Sequence, residues 1–318
     1  MTDITLQNFE SELLQASMQQ PVLLDIWAPW CGPCRTLGPM LDKLEVAYAG
    51  RFKLAKLNSD DQPEIATQLS QAFGVRSIPF CVMFVGGQPV DGFVGAIPEA
   101  QIREFLDRHV PTGEALEAEE DLAEAQALME EGDSEAALQK LQAAVQADPA
   151  NETARFDLVR ALLEADLLQD AKAAFAPVAA LAADTITPHA RFAALATWIA
   201  AAERAAQGLD PAGLQAAIAA NKRDFDARFA LAQGLLAGRD FTGAMDELLE
   251  IIMRDKAWND QLARKTYVAI LELMTKPPAA HAAAAENKGG LQLSGPSAVA
   301  SADPLLDQYR RKLSMALF

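Results

Sequence analysis

Two cysteines three residues apart, Cys31 and Cys34, stand in the run Trp30-Cys31-Gly32-Pro33-Cys34, directly after an apolar stretch over residues 22–28. On the first turn of a helix, positions i and i+3 share a face, so the two sulfurs come within disulfide reach. A strand feeding that helix start makes the dithiol a redox site rather than a structural staple. Free amides and the helix dipole stabilise a thiolate at the N-terminus, so Cys31 is expected to be the attacking sulfur. Cys34, one turn further in, is expected to be more shielded and to resolve the mixed disulfide. Asp25 lies within the apolar strand, where burial raises a carboxyl pKa. It is a candidate base for Cys34, with Lys56 as its charge partner. Its other reading is a core carboxylate paired with Lys56 and nothing more.

A CxxC can also be half of a zinc site. This chain has three cysteines and no second CxxC, and His109, His189 and His281 are scattered without ligand spacing. No metal and no cofactor are expected. The third cysteine, Cys81, reads as a strand core residue, since free Cys packs like a small hydrophobe; its alternative role is a secondary oxidation site.

The elements that must position these residues alternate. Helices are expected over 7–18, 31–49, 63–73 and 98–109. Strands are expected over 22–28, 53–58, 80–85 and 89–94, the last two joined by Gly86-Gly87-Gln88. Alternating strands and helices followed by a hairpin and a helix imply a mixed sheet covered on both faces. From 114 to 275 the chain is rich in Ala and Leu, has helical periodicity and carries no strand signal. The 318 residues carry a net charge of −17, and 111–275 alone hold 28 acidic and 14 basic side chains. That balance argues against nucleic acid, which needs clustered Lys and Arg. The apolar runs at 173–183 and 192–202 are too short for a bilayer, which needs roughly 20 residues. With no leader-like N-terminus and a CxxC suited to a reducing compartment, the expected location is the cytoplasm.

Residues 1–110 resemble a thioredoxin domain. The likeness rests on Asp25 before Trp27, the WCGPC run, Pro39 in the following helix, Lys56, Ile78-Pro79, Gly87 and Gly95. It implies a cis bond at Ile78–Pro79 lying against the dithiol. It also implies a flat apolar surface of Trp30, Ile78, Pro79, Gly95 and Ala96 that receives a substrate chain.

In the middle region, Gly132-Asp-Ser-Glu-Ala-Ala137 recurs as Asp166-Leu-Leu-Gln-Asp-Ala171 and as Arg239-Asp-Phe-Thr-Gly-Ala244, with a less regular pair over 190–221 between them. The 34-residue step from Ala137 to Ala171 resembles tetratricopeptide repeats, which stack into a solenoid with a protein-binding face. The alternative is an acidic helical spacer. The fold class is therefore an α/β thioredoxin fold (1–110) followed by an all-α tetratricopeptide-like helical solenoid (114–275). An Ala/Gly/Ser/Pro-rich stretch, 276–302, reads as a flexible linker. Asp303-Pro304 then starts an amphipathic helix over 303–318 with Leu306, Tyr309, Leu313 and Leu317 on one face and Arg310, Arg311 and Lys312 as a basic patch. It could be a leashed docking peptide or a cap on the solenoid.

This order of parts resembles the chaperedoxin family, on Gln88 to Gly95, Arg264-Lys-Thr266 and Tyr309-Arg-Arg311. The resemblance implies a co-chaperone that holds unfolding or oxidised clients, exchanges thiol-disulfides and passes clients to the GroEL chaperonin. It makes Leu306, Tyr309, Arg310, Arg311 and Leu313 the docking candidates, and thioredoxin reductase a recycling partner. The alternative is a dedicated protein-disulfide reductase whose repeats recruit one substrate protein.

Overall fold

The computed structural model describes residues 2–184, 189–275 and 303–317; the linker expected over 276–302 lies outside them. The described residues divide into two compact units, one ending at Leu116 and one beginning at Glu117.

The first unit is a five-stranded sheet in the order β1-β3-β2-β4-β5. Its strands are β1 Thr2–Asp3, β2 Val22–Trp27, β3 Lys53–Asn58, β4 Phe80–Val85 and β5 Gln88–Val94. β1 and β2 run parallel to β3, while β4 is antiparallel to both β2 and β5. Alternation along each strand divides the core in two. Leu23, Leu54, Cys81 and Met83 face α1 Gly32–Ala47 and α3 Glu99–Asp107. Val22, Leu24, Ala55, Val82 and Phe84 pack with Ile65 and Ala66 of α2 Pro63–Phe73 on the other side. Asp25 and Lys56 share the parity of Leu23 and Leu54, and so belong to the α1 face. The helix expected over 7–18 is wound irregularly, as a π-helical stretch Phe9–Gln15 followed by a 3₁₀ turn Ala16–Met18. In the hairpin, a Cβ on Gly92 would sit 2.7 Å from the Cys81 carbonyl oxygen, so only glycine lets β5 lie this close to β4.

The remaining elements are helical. α4 Gly113–Glu131 leads into α5 Ser134–Ala147, α6 Glu152–Glu164, α7 Leu168–Phe175 and α8 Ala179–Ala183. After them come α9 Ala190–Ala206, α10 Pro211–Ala220, α11 Phe225–Ala237, α12 Phe241–Arg254, α13 Trp258–Met274 and α14 Pro304–Leu317. The recurring motif has one physical form. Gly132, Asp166 and Arg239 all adopt positive φ (87°, 60° and 67°). In each case the next amide bonds back to a carbonyl five residues earlier: Asp133 to Leu128, Leu167 to Leu162, Asp240 to Leu235. This left-handed stop ends one helix so that the next can fold back along it. Asp133 and Asp240 then cap the following helices through the amides of Ala136 and Gly243. Ala137, Ala171 and Ala244, five residues past each turn, are buried. The less regular pair is α9 and α10, and it shares only the positive φ and the spacing: Gly208 has φ 90°, its own amide bonds the Ala205 carbonyl, and Gly213, five residues on, is exposed.

The terminal helix α14 packs on α12 and α13. Leu306 and Tyr309 are buried, and Leu313 and Leu317 are half-buried against the same core. The Tyr267 hydroxyl donates to the Tyr309 carbonyl at 2.8 Å. Lys312 bonds Asp246 at 2.9 Å and lies over the Tyr309 ring. Of the two readings, the leashed peptide is corrected to a cap. The apolar stripe finds a complementary surface on the chain's own repeats, and burying it there removes it from water. Among the five docking candidates, Leu306, Tyr309 and Leu313 hold the cap, and Arg310 and Arg311 stay exposed.

Candidate active site

Strand β2 ends at Trp27, and Cys31 caps α1, its sulfur accepting from the Cys34 amide at 3.2 Å. Pro33 sits in the first turn, where its missing N–H costs nothing. Cys31 and Cys34 form a closed disulfide with Cα atoms 5.3 Å apart. In this oxidised form the expected difference in shielding is absent, because both cysteines are buried, at 4% and 5% exposure. What separates them is position: only Cys31 stands at the helix cap.

Ile78–Pro79 is cis, and Ile78 packs with Trp27, Ala28, Cys31 and Cys34. The Gly95 amide bonds the Pro79 carbonyl at 2.8 Å, which pins the end of β5 beside the proline loop. That contact draws Gly95 and the exposed Ala96 to Ile78 and Pro79. Trp30 is 68% exposed, and its indole N–H donates to Asp60 at 3.1 Å. Trp30 and Ile78 also form one wall of a groove of about 760 Å³ whose other wall is α2, through Pro63, Ala66 and Thr67. The helix itself was expected from the sequence, but no site assignment included it. Its face toward the dithiol is set by packing, and its only signal was proximity of the 63–73 helix to β3 in the chain.

Asp25 is 2% exposed and lies between two cross-strand neighbours, Lys56 on β3 and Cys81 on β4. Burial lifts its carboxyl to about 6; the positive charge of Lys56 and a Cys81 hydrogen bond pull the other way. The expected Asp25–Lys56 partnership holds as a charge interaction and not as a direct ion pair. The Lys56 ammonium binds Asp42 of α1 at 2.7 Å and acts on Asp25 only through space. Asp42 is half in solvent and reachable past Gly38, whereas pairing with Asp25 would desolvate both charges. Among the described residues no group of three or more His, Cys, Asp or Glu could hold a metal, and no helix is long and apolar enough to cross a membrane.

A dithiol that closes and opens at one helix start can pass two electrons to another disulfide, which makes this the site of a thiol–disulfide oxidoreductase. Residues 1–108 match the thioredoxin family, and residues 128–199 and 204–287 match two tetratricopeptide repeat families. Thioredoxin 1 of Nostoc sp. is 42% identical over 107 residues, covering 34% of this chain and 94% of that protein. Thioredoxin 1 of Synechococcus elongatus is 43% identical over 110 residues, 35% of this chain and 94% of the relative. The thioredoxin of Haemophilus influenzae is 43% identical over 103 residues, 32% of this chain and 91% of the relative. The chain belongs to the thioredoxin family. It is a thioredoxin domain fused to tetratricopeptide-like repeats, an architecture suited to engaging other proteins.

Proposed function

We propose that the chain is a chaperedoxin: a cytoplasmic, redox-active co-chaperone that holds unfolding or oxidised clients and passes them to the GroEL chaperonin. In this reading 1–110 is the redox domain, 114–275 the client-binding solenoid, 276–302 a linker and 303–318 the capping helix whose exposed Arg310 and Arg311 meet the chaperonin. The observation that carries it is the fusion of an intact thioredoxin site to a repeat array closed by a terminal helix with Arg310 and Arg311 outward.

The chemistry follows from the site. The Cys31 thiolate attacks a client disulfide; its S–S bond breaks, one client sulfur leaves as a thiolate, and a mixed disulfide forms. Cys34 gives its proton to Asp25 and attacks Cys31. The second client sulfur leaves, and the Cys31–Cys34 disulfide closes with two electrons delivered. Thioredoxin reductase restores the dithiol. Trp30, Ile78, Pro79, Gly95 and Ala96 seat the client segment, and Lys56 moderates the carboxyl through its charge.

The test is capture of purified GroEL by the full-length protein, by a chain ending at Ala302, and by the Arg310→Glu/Arg311→Glu double variant. The reading expects capture by the full-length protein alone; equal capture by all three overturns tail docking. One observation favours a second reading: the apolar face of α14 is already spent on the repeats. A dedicated protein-disulfide reductase with a substrate-recruiting solenoid would reduce its substrate, suppress no general aggregation and capture no GroEL.

A further inference from the structure

Cys81 is fully buried as the second residue of β4, in the core shared with α1 and α3, where a free cysteine packs like a small apolar residue. Its placement is specific, however. It stands directly opposite Asp25 in the antiparallel register, with its Sγ 3.8 Å from Asp25 Oδ1. Three titratable groups bear on the Asp25 carboxyl: Lys56 from β3, Asp42 from α1 and Cys81 from β4. Lys56 is held by Asp42, so neither closes a hydrogen bond on Asp25. Burial pushes the Cys81 thiol well above its ordinary range, so it remains an S–H donor.

We propose that Cys81 is a positioning residue for thiol–disulfide exchange, its thiol donating to Asp25 and favouring the carboxylate that takes the Cys34 proton. The proposal rests on the reading of Asp25 as that base. A donor to the charged form lowers a carboxyl pKa. Removing the donor leaves burial less opposed, so the carboxyl titrates higher and fewer molecules hold the base at a given acidic pH.

The test uses the full-length protein with Cys81→Val, which keeps a side chain of similar size in the strand, and Cys81→Ala, which guards against overpacking. Two quantities are read: titration of the reduced protein's Asp25 carboxyl carbon by NMR, and the pH profile of client-disulfide reduction. In both variants the carboxyl should titrate upward by about half a pH unit, with the acidic limb of the rate moving alongside, roughly a twofold loss at pH 6. Cys81→Ser, which restores a hydroxyl donor, should bring both back. An Asp25 titration that does not move in either variant overturns the proposal, because a packing role would lower stability without shifting the carboxyl. Asp25→Asn separates the two ideas. If it abolishes the acidic limb while the Cys81 variants leave titration untouched, the base reading stands and Cys81 is excluded. If it leaves the limb intact, the base reading falls and takes the role of Cys81 in exchange with it.

Discussion

Both units bury charge, and Arg155 and Arg228 of the helical unit are treated in the opposite way to Asp25 of the sheet unit. In the helical unit, Arg155 is buried but donates to the carbonyls of Ala174 and Pro149. Arg228 is buried but binds Glu247 and the Lys222 carbonyl. Each guanidinium spends its fork on fixed acceptors and ties helices together. In the sheet unit, Asp25 is buried with one weak donor and a cation already engaged elsewhere. A buried charge that is satisfied is architecture; one left under-satisfied titrates near neutrality and can move a proton.

The contrast can be broken in four places. Cys31→Ser should reduce client-disulfide reduction by about a thousandfold or more, since the attacking thiolate is gone, while suppression of client aggregation survives; loss of both would show that the two activities are one. Tyr309→Ala should unseat α14 and cost about 3 kcal/mol, from a large buried side chain, seen in the calorimetric transition of the helical unit with the exchange rate unchanged.

Asp25→Asn should act with the opposite sign. The folded carboxyl titrates near 6 against an ordinary 3.8. Between those values the native state holds a proton that the unfolded state has released, so stability falls as pH rises through the window and stays low above it. The substitution should therefore stabilise the protein at pH 7 by roughly 3 kcal/mol, with no gain at pH 3. Denaturant midpoints at the two pH values decide it; a variant less stable at pH 7 would mean that Asp25 is anchored after all. The smallest effect belongs to Asp133→Ala, a lost helix cap worth about 1 kcal/mol, read as a lower denaturant midpoint of the helical unit.

Much of this was legible from residue order. The dithiol, the strand–helix alternation and the recurring repeat motif announce themselves through local spacing, whereas the left-handed turns at Asp166 and Arg239 emerge only in the structure. What escaped depends on contacts between distant segments. The two-residue strand β1 is too short to carry a period. The turn at Gly208 was hidden because its unit departs from the 34-residue step, although Gly213 marks the small position. Lys56 could be placed on a strand beside Asp25, but its choice of Asp42 depends on which helix lies above it. The amphipathic stripe of α14 named a face without naming what covers it.

The repeat turns carry one further consequence. Arg239, itself in a left-handed turn, reaches with its guanidinium to the Glu164 carbonyl and the Asp166 carboxylate, and Asp166 occupies the corresponding left-handed position of an earlier unit. Glycine would relax the backbone at either position, yet each replacement also removes half of the clasp. The effects of Asp166→Gly and Arg239→Gly should therefore fail to add, because the contact between the two side chains can be lost only once. Two corners far apart along the chain are thus joined by a surface contact, and a designer relaxing one would test the other alongside it.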